Sequence, residues 1–365
     1  MNTVEFDADL IRRYAGSGPR YTSYPTAMEF SSSVGEQDYI EWVRESNLSR
    51  RPLSLYVHIP FCAHVCFYCA CNKVVTADRS KAVPYLENLY AEIRLQASLV
   101  DPDRRVDQLH WGGGTPTFLS EEQMCDLMRV LGENFYLHED DSGEYSIEID
   151  PRELREDTLP ILREIGFNRV SLGVQDFNPD VQQAVHRVQS AQQTLDAMRQ
   201  ARELGFRSIN IDLMYGLPLQ TVQSFSDTLD GVIEVRPDRL SVFNYAHLPE
   251  RFKPQRRINA VDLPSADEKL NILSLTIDKL TAAGYQYIGM DHFARPDDEL
   301  AVAQREGHLY RNFQGYSTHR QCDLVSLGVS GIGNIGNLYA QNAITTMEYE
   351  EIIERGEFPI KKGIL

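Results

Sequence analysis

The sequence predicts an α/β fold in which parallel strands alternate with helices in an open or closed barrel. Strand-like and helix-like stretches alternate along the chain, which indicates βαβ units and a parallel sheet. Glycines and ionisable side chains collect just after the predicted strands, where parallel α/β folds build their sites. Six or seven such units fit a barrel, and a doubly wound sheet is the alternative.

The strand candidates are short apolar runs, and they cover residues 53–59, 108–112, 145–150, 169–175, 208–216, 239–246 and 285–291. The helix candidates carry apolar residues at spacings of three and four, and they cover residues 83–97, 121–135, 153–165, 191–204, 221–235 and 265–283. Residues 1–35 are different, because their Gly, Pro, Ser and Tyr content follows no period. We expect them to form an extended arm.

Composition and charge narrow the class of protein. The chain has 365 residues, of which 42% are hydrophobic and 24% charged, as in ordinary globular proteins. The net charge of −17 argues against a nucleic acid or an anionic membrane as partner. The start of the chain has no signal-peptide pattern, and no apolar run approaches the roughly 18 residues of a membrane span. We expect a soluble cytoplasmic protein.

Cysteines are concentrated in the stretch PFCAHVCFYCACNKV, which holds Cys62, Cys66, Cys69 and Cys71. In a reducing compartment such cysteines are more often metal ligands than disulfides. Structural zinc prefers two cysteine pairs separated by a longer gap, whereas three cysteines in one loop are typical of a cubane iron–sulfur cluster. We therefore favour an iron–sulfur cluster held by three thiolates. Zinc and unligated thiols remain as alternatives.

Polar residues at the predicted strand ends have both a functional and a structural interpretation. The glycines at 112–114 suit a backbone that approaches a ligand, but also a tight strand-to-helix turn. Glu148 suits hydrogen bonding to a ligand, although a salt-bridged acid is the commoner case. Asp212 lies among apolar residues and needs a partner if it is buried. Arg187 alone is most often a surface charge.

Longer stretches of the sequence resemble a known family. They include SGPRYTSYPTA, LYVHIPFC, CACNKVVT, LHWGGGTPT, IEIDPRE, GVQDFN, NIDLMYGLP and NFQGYST. With the Cys-x3-Cys-x2-Cys loop, they resemble the oxygen-independent coproporphyrinogen III oxidases of the radical S-adenosylmethionine (SAM) superfamily. The resemblance covers the chain from about residue 10 to residue 342.

The resemblance implies an incomplete (β/α)6 barrel of the radical SAM kind with an N-terminal arm. It also implies a [4Fe–4S] cluster and two SAM molecules, which generate 5′-deoxyadenosyl radicals. The expected reaction is oxidative decarboxylation of two propionates of coproporphyrinogen III to vinyl groups, giving protoporphyrinogen IX in haem biosynthesis. Residues 1–35 would be the arm, residues 36–342 the barrel with its extension, and residues 343–365 the start of a C-terminal region that is truncated here.

The family's functional positions carry over to this sequence. Cys62, Cys66 and Cys69 match the cluster ligands, which leaves Cys71 outside the cluster. The matches to SAM contacts are Tyr56, Tyr68, Gly112, Gly113, Gly114, Thr115, Glu148, Gln175, Arg187, Asp212, Ala246 and Ile332. Among these, Gln175, Arg187 and Asp212 belong with the second SAM molecule.

The substrate implied by the resemblance carries four carboxylates, and arginine suits their recognition. Arg20, Arg295 and Arg311 lie in stretches with aromatic residues and are candidate substrate contacts, as are Phe313 and Gln314. The resemblance further implies an electron donor such as a flavodoxin or ferredoxin, and a monomer. Two other functions stay open: a haem-binding chaperone on the same barrel, and an iron–sulfur electron-transfer or zinc protein.

Overall fold

Residues 6–14 and 23–365 are described by the computed structural model. Its helices are α1 Ala8–Tyr14, α2 Glu36–Asn47, α3 Ala82–Leu99, α4 Glu121–Asn134, α5 Thr158–Glu164, α6 Pro179–Ala184, α7 Ala191–Glu203, α8 Val222–Val235, α9 Ala266–Ala282, α10 Glu299–Glu306 and α11 Thr346–Glu354. Its strands are β1 Leu53–Ile59, β2 Phe61–Cys62, β3 Val74–Val75, β4 Arg105–Gly113, β5 Tyr136–Leu137, β6 Glu144–Ile149, β7 Arg169–Gln175, β8 Ser208–Tyr215, β9 Arg239–Asn244, β10 Gln286–Gly289, β11 His292–Ala294, β12 Tyr310–Arg311, β13 Tyr316–Ser317, β14 Asp323–Leu327, β15 Ile332–Ile335, β16 Leu338–Asn342 and β17 Ile360–Ile364.

Six parallel strands form the centre of the fold, in the order β1, β4, β6, β7, β8 and β9. Helices connect successive strands, as right-handed crossovers between parallel strands require. Within the described residues, β1 and β9 do not pair with each other, so the sheet stays open. The architecture confirms the predicted α/β fold and incomplete (β/α)6 barrel.

Local sequence explains where several of these helices begin. The hydroxyl oxygens of Ser120 and Ser190 accept hydrogen bonds from the backbone amides of Gln123 and Gln193. The side-chain oxygens of these glutamines accept in turn from the backbone amides of the two serines. These capping boxes satisfy amide groups that the first helical turn leaves unpaired. The apolar faces of the helices then pack on β1, of which every residue but Tyr56 is buried.

The seventh predicted unit is different in the structure. Residues 285–291 do not form one parallel strand, because β10 and β11 make an antiparallel hairpin whose second strand pairs with β9. The turn between them uses Gly289 and Met290, both with positive φ. Only two residues separate β10 from β11, too few for the crossover of a dozen or more that a parallel pair needs, so β11 must run antiparallel to β10.

Two further expectations need correction. The predicted helix over residues 153–165 is shorter, because Asp150 caps a 3-10 turn at Pro151–Glu153 before α5 begins at Thr158. The arm is not extended throughout, since Ala8–Tyr14 is helical and Ala27–Glu29 forms a 3-10 turn. No helix among the described residues has the length and apolar character needed to cross a lipid bilayer.

The chain after the barrel extends the sheet beyond β1. Strand β14 runs parallel to β1, and β15, β16 and β17 continue from it as antiparallel neighbours. The hairpin formed by β12 and β13 contacts two strands of the large sheet. There the ring of Tyr316 packs against His292, and Ser317 contacts Gln108 on β4.

A buried carboxylate joins this extension to the barrel. Glu92 of α3 is fully buried and accepts hydrogen bonds from the Gly328 amide, Asn342 Nδ2 and the Tyr349 hydroxyl at 2.6–2.8 Å. The three donors come from three segments that follow β13, so one side chain fixes them against α3.

Replacing Glu92 with Ala is expected to lower the free energy of unfolding by roughly 3 kcal/mol, because three buried donors lose their acceptor. Denaturant titration measures the loss. Glu87→Ala, at an exposed position of the same helix, is the matched control and should stay within about 0.5 kcal/mol of wild type. Equal stabilities for the two variants would contradict this role of Glu92.

Candidate functional site

A cavity of about 470 Å³ fills the barrel on the inner face of its strands. It gathers many of the side chains singled out in the sequence, namely Tyr56, Cys62, Cys66, Tyr68, Cys69, Gly113, Gly114, Thr115, Glu148, Gln175, Arg187, Asp212 and Gln314. Most of these side chains lie close together because the carboxyl ends of parallel strands meet at one edge of the sheet. Cys71 also lines the cavity.

The cysteine loop leaves β1 and is fixed at both ends by the backbone. Phe61 and Cys62 pair with Val74 and Val75 in a short parallel ladder. The Cys62 thiol lies 3.6 Å from Thr115 Oγ1, and burial raises the pKa of this thiol to about 12. A neutral thiol is thus favoured there until a cation or a cluster compensates for the buried charge.

The spacing of the three thiols tests which group they fit. Sulfur ligands of one tetrahedral zinc ion lie about 3.8 Å apart, given Zn–S bonds of about 2.3 Å. Among the described residues, Cys62, Cys66 and Cys69 do not form a set of ligand atoms within 4.8 Å of one another. As the loop stands, these three sulfurs are therefore not arranged as the ligands of a single ion.

Two arginines point at the second cysteine. Arg152 Nη2 and Arg187 Nη1 each lie 3.4 Å from Cys66 Sγ, and both guanidinium groups also donate to Asp150. Burial alone would raise the pKa of Asp150, but the charges of Arg187 and Arg152 hold it below its ordinary value. Asp150 therefore stays ionised and keeps both cations directed at the sulfur.

The fourth cysteine has a different environment. Cys71 is exposed on the loop, and a hydrogen bond from it lowers the pKa of Cys69 to about 5. Lys73 Nζ donates to the backbone oxygens of Cys69 and Cys71 at 3.0 and 3.4 Å. These contacts favour a thiolate at Cys69, with the Cys71 thiol as its hydrogen-bond donor.

The end of the loop is held by a chain of hydrogen bonds. His58 Nε2 lies 3.1 Å from the Asn72 carbonyl, which can only accept, so Nε2 carries the proton. His58 Nδ1 then accepts from the Tyr56 hydroxyl at 3.1 Å. Burial lowers the pKa of His58, which keeps the ring neutral and this arrangement intact.

The glycine turn is required by its protein neighbours. A Cβ on Gly113, where φ is +114°, would lie 2.8 Å from the His58 ring. A Cβ on Gly114 would lie 2.7 Å from the Phe61 carbonyl oxygen. The close approach of β1 and of the start of the cysteine loop thus explains these two glycines, whatever the turn binds.

Glu148 lies deep in the cavity wall. It faces His110 Nε2 at 3.2 Å and accepts from the Gly113 amide at 3.3 Å. Burial alone would raise the pKa of Glu148, but His110 and the amide lower it overall. The carboxylate is therefore ionised and can accept hydrogen bonds from a cationic ligand.

Asp212 and Gln175 form the next part of the wall. Asp212 accepts from Ser171 Oγ and Asn210 Nδ2, and burial together with the charge of Glu148 raises the pKa of Asp212 to about 6. Gln175 has a left-handed φ of 69°, and its Oε1 is buried with no hydrogen-bond partner among the described residues. Strained backbone and unpaired polar atoms are typical of ligand sites.

Other predicted site residues lie outside the cavity wall. Ala246 is joined to Tyr68 through Gln255 Nε2, which donates to both backbone oxygens. The Ile332 carbonyl is 3.5 Å from Gln314 Nε2. Gly112 adjoins the wall, since a Cβ there would lie 3.0 Å from the Glu148 carboxyl group.

The candidate substrate residues lie in different parts of the structure. Arg311 stacks on the Tyr316 ring, and Phe313 packs against Phe30. Arg295 follows β11, whose direction is reversed, so it lies at the opposite edge of the sheet beside Asp238. Arg20 lies outside the described residues.

Sequence reasoning missed two features of the site. Arg152 was not singled out, because its contact with Cys66 joins residues 86 positions apart. The polar lining of the barrel was also missed, although alternate strand positions supply it: Ser146, Arg169, Ser171, Ser208, Asn210, Arg239 and Ser241. That period of two was visible in the sequence.

Comparison with known proteins supports one family. Residues 56–231 match the Radical SAM superfamily. The oxygen-independent coproporphyrinogen III oxidase of Pseudomonas aeruginosa is 57% identical over 364 residues, covering 100% of this chain and 79% of the relative. That of Escherichia coli K12 is 54% identical over 364 residues, with the same coverage of both chains.

A solved structure agrees with these sequence relatives. Coproporphyrinogen III oxidase (HemN) from Escherichia coli, described as a radical SAM enzyme, is similar to this chain with a TM-score of 0.93 and 53% identity. The match covers 100% of this chain and 81% of that chain.

Replacing Cys66 with Ser is expected to abolish assembly of a [4Fe–4S] cluster, because Cys66 is one of the three ligands that the sequence predicts. Cys71→Ser, the matched control two residues beyond Cys69, should keep about four irons per chain. Iron analysis and absorption after anaerobic reconstitution measure both variants. Loss of iron in Cys71→Ser would show that a fourth thiolate binds the cluster.

Replacing Arg152 with Gln is expected to lower the midpoint potential of that cluster by on the order of 60 mV, a tenfold change for one electron. The reason is that a cation beside Cys66 stabilises the more negative, reduced state. An EPR-monitored redox titration measures the potential. Arg155→Gln, whose partners are Glu121 and the Leu119 carbonyl, should leave it unchanged. Identical potentials would mean that Arg152 only holds Asp150.

Proposed function

The chain belongs to the oxygen-independent coproporphyrinogen III oxidases of the radical SAM superfamily, and from this premise we propose how its residues perform the reaction. The enzyme decarboxylates two propionate side chains of coproporphyrinogen III to vinyl groups and yields protoporphyrinogen IX. Its cofactors are a [4Fe–4S] cluster and two SAM molecules. When bound, they would supply 5′-deoxyadenosyl radicals, which remove a hydrogen atom from the β-carbon of each reacting propionate. Each propionate then loses CO2 and passes one electron to an acceptor, which leaves the vinyl group.

We assign the cluster to Cys62, Cys66 and Cys69. Three cysteines in one loop beside the cavity support the assignment, as does the contact of Cys66 with two guanidinium groups. Arg152 and Arg187 would compensate for the negative charge of a thiolate, and Asp150 would hold both in place. Cys71 would act beside Cys69 as a hydrogen-bonding neighbour.

We assign the first SAM molecule to the wall next to this loop. Glu148 would accept from its ammonium group, and the backbone at Gly112, Gly113 and Gly114 would bind its methionine part. The remaining contacts would come from Tyr56, Tyr68, Thr115, Ala246 and Ile332. The ionised state of Glu148 supports its role, because a carboxylate attracts both the ammonium and the sulfonium charge.

We assign the second SAM molecule to Gln175, Arg187 and Asp212. The unpaired Gln175 Oε1 offers an acceptor, Asp212 offers a carboxylate, and Arg187 offers a cation for the ligand's own carboxylate. All three side chains line the cavity, so the amide, the carboxylate and the guanidinium group are in place before any ligand binds.

We assign substrate contacts to the hairpin formed by β12 and β13. Arg311 is half-buried beside Tyr316, Gln314 reaches the cavity, and Phe313 anchors the tip on Phe30. The arm of residues 1–35, which includes Arg20, would cover the same side and exclude water. Arg295 is a weaker candidate, because Asp238 and Asp297 neutralise it at the other edge.

We further propose a cytoplasmic monomer that receives electrons from a flavodoxin or ferredoxin. Free thiols support a reducing compartment, since each described cysteine lacks a disulfide partner. A low-potential one-electron donor suits a cluster that must be reduced before each turnover.

Anaerobic reconstitution tests the function. The loaded protein, with reductant, SAM and coproporphyrinogen III, should form 5′-deoxyadenosine and vinyl porphyrinogen, and neither should form without SAM or in Cys66→Ser. A haem titration separates the chaperone alternative. Stoichiometric haem binding without vinyl product would favour that alternative over the oxidase.

Asp212→Asn is expected to weaken binding of the second SAM molecule by about 10- to 150-fold, since a charge-assisted contact contributes roughly 1.5–3 kcal/mol. Anaerobic equilibrium dialysis of the cluster-loaded protein should then count one bound SAM in place of two. Asp227→Asn, on the exposed face of α8, is the matched control.

The pH dependence of stability adds a second test of Asp212. Its pKa of about 6 lies above that of an unfolded aspartate, so its contribution to stability decreases as pH rises towards 6. The Asn variant lacks this decrease and should be no less stable than wild type at pH 8. A lowered melting temperature with two SAM molecules still bound would make Asp212 structural.

A further inference from the structure

A second group of potential metal ligands lies at the opposite edge of the barrel from the cysteine loop. Asp107, His319 and Cys322 place one ligand atom each within 4.8 Å of one another. Asp107 is near the start of β4, whereas the other two residues precede β14. The oxygen, nitrogen and sulfur atoms therefore come from two separate segments of the chain.

The local structure positions these ligands. His319 and Cys322 form a His-x2-Cys turn closed by a hydrogen bond from the Cys322 amide to the His319 carbonyl. Asp107 Oδ1 accepts from His138 Nε2 at 2.9 Å, and the His138 ring is 12% exposed. Carboxylates that bind a metal are usually held by a hydrogen bond from an outer residue, and His138 can supply it here.

The surroundings add a neighbouring carboxylate and a route from solvent. Glu144 Oε2 lies 3.6 Å from His319 Nε2 and 3.5 Å from Arg169 Nε. A second cavity, of about 320 Å³, has Asp107 in its wall together with Asp101 and Asp103. It gives an ion a path from solvent to the carboxylate, although the wall also holds the balancing charges of Arg50, Arg104 and Arg105.

We propose that Asp107, His319 and Cys322 bind a zinc-class divalent ion, with His138 orienting the carboxylate and water in the fourth position. Imidazole and thiolate together select zinc over harder cations. Tetrahedral zinc ligands lie about 3.3–3.8 Å apart, so a small rotation of the side chains closes the site. The ion would tie the segment after the β12–β13 hairpin to β4, and so fix the hairpin that carries Gln314.

Zinc K-edge absorption of the cluster-loaded protein tests the proposal, because the cluster occupies Cys62, Cys66 and Cys69. After one equivalent of Zn²⁺ and desalting, we expect about one zinc per chain. We expect one sulfur at about 2.3 Å and lighter ligands at about 2.0–2.1 Å. Cys322→Ser should lose the sulfur signal, and His319→Gln should retain at least tenfold less zinc.

Matched controls use cysteine and histidine side chains that are more exposed. Cys125→Ser and His308→Gln should bind zinc as wild type does. Zinc should also raise the melting temperature of wild type and of both controls, but not that of Cys322→Ser. A wild-type protein that retains no zinc, or a sulfur signal that persists in Cys322→Ser, would overturn the site without affecting the assigned oxidase activity.

Discussion

Every functional side chain of this protein depends on the parallel register of the six barrel strands. In that register Glu148 pairs with Ser171, Gly173 with Asp212, and Asp212 with Ser241, so polar residues line the lumen strand after strand. A slip of one residue would turn these side chains into the apolar layer under the helices. The hydrogen-bonded sheet therefore decides which residues meet in the cavity, and the loops add the cysteines to it.

Charge is the second constraint on the site. The chain carries a net charge of −17, yet Cys66 in the cysteine loop meets two guanidinium groups that Asp150 holds in place. In a low-dielectric interior such local pairs outweigh the distant surface charge. Two cations thereby face the Cys66 sulfur, while Glu148 and Asp212 supply negative charge to the neighbouring wall. The cavity thus offers both signs of charge within one barrel, as a zwitterionic ligand requires.

The hairpin formed by β12 and β13 contacts both the N-terminal arm and the strands of the barrel. Its tip meets the arm through Phe313 and Phe30, and its second strand contacts His292 and Gln108. The chain that follows contains His319 and Cys322 and then enters β14, the parallel neighbour of β1. A group bound at the far edge would therefore act on the same segment that closes the cavity.

Sequence alone determined the parallel α/β fold, the helices over residues 121–135 and 191–204, and the cysteine loop, because periodicity and loop spacing depend on near neighbours in the chain. It also placed Glu148 and Asp212 at one edge of the sheet. Only the tertiary structure decided that Arg152 reaches Cys66, that Arg295 lies at the far edge, and that His319 and Cys322 meet Asp107. Such contacts form when strands distant in the sequence pair, and no local pattern records that pairing.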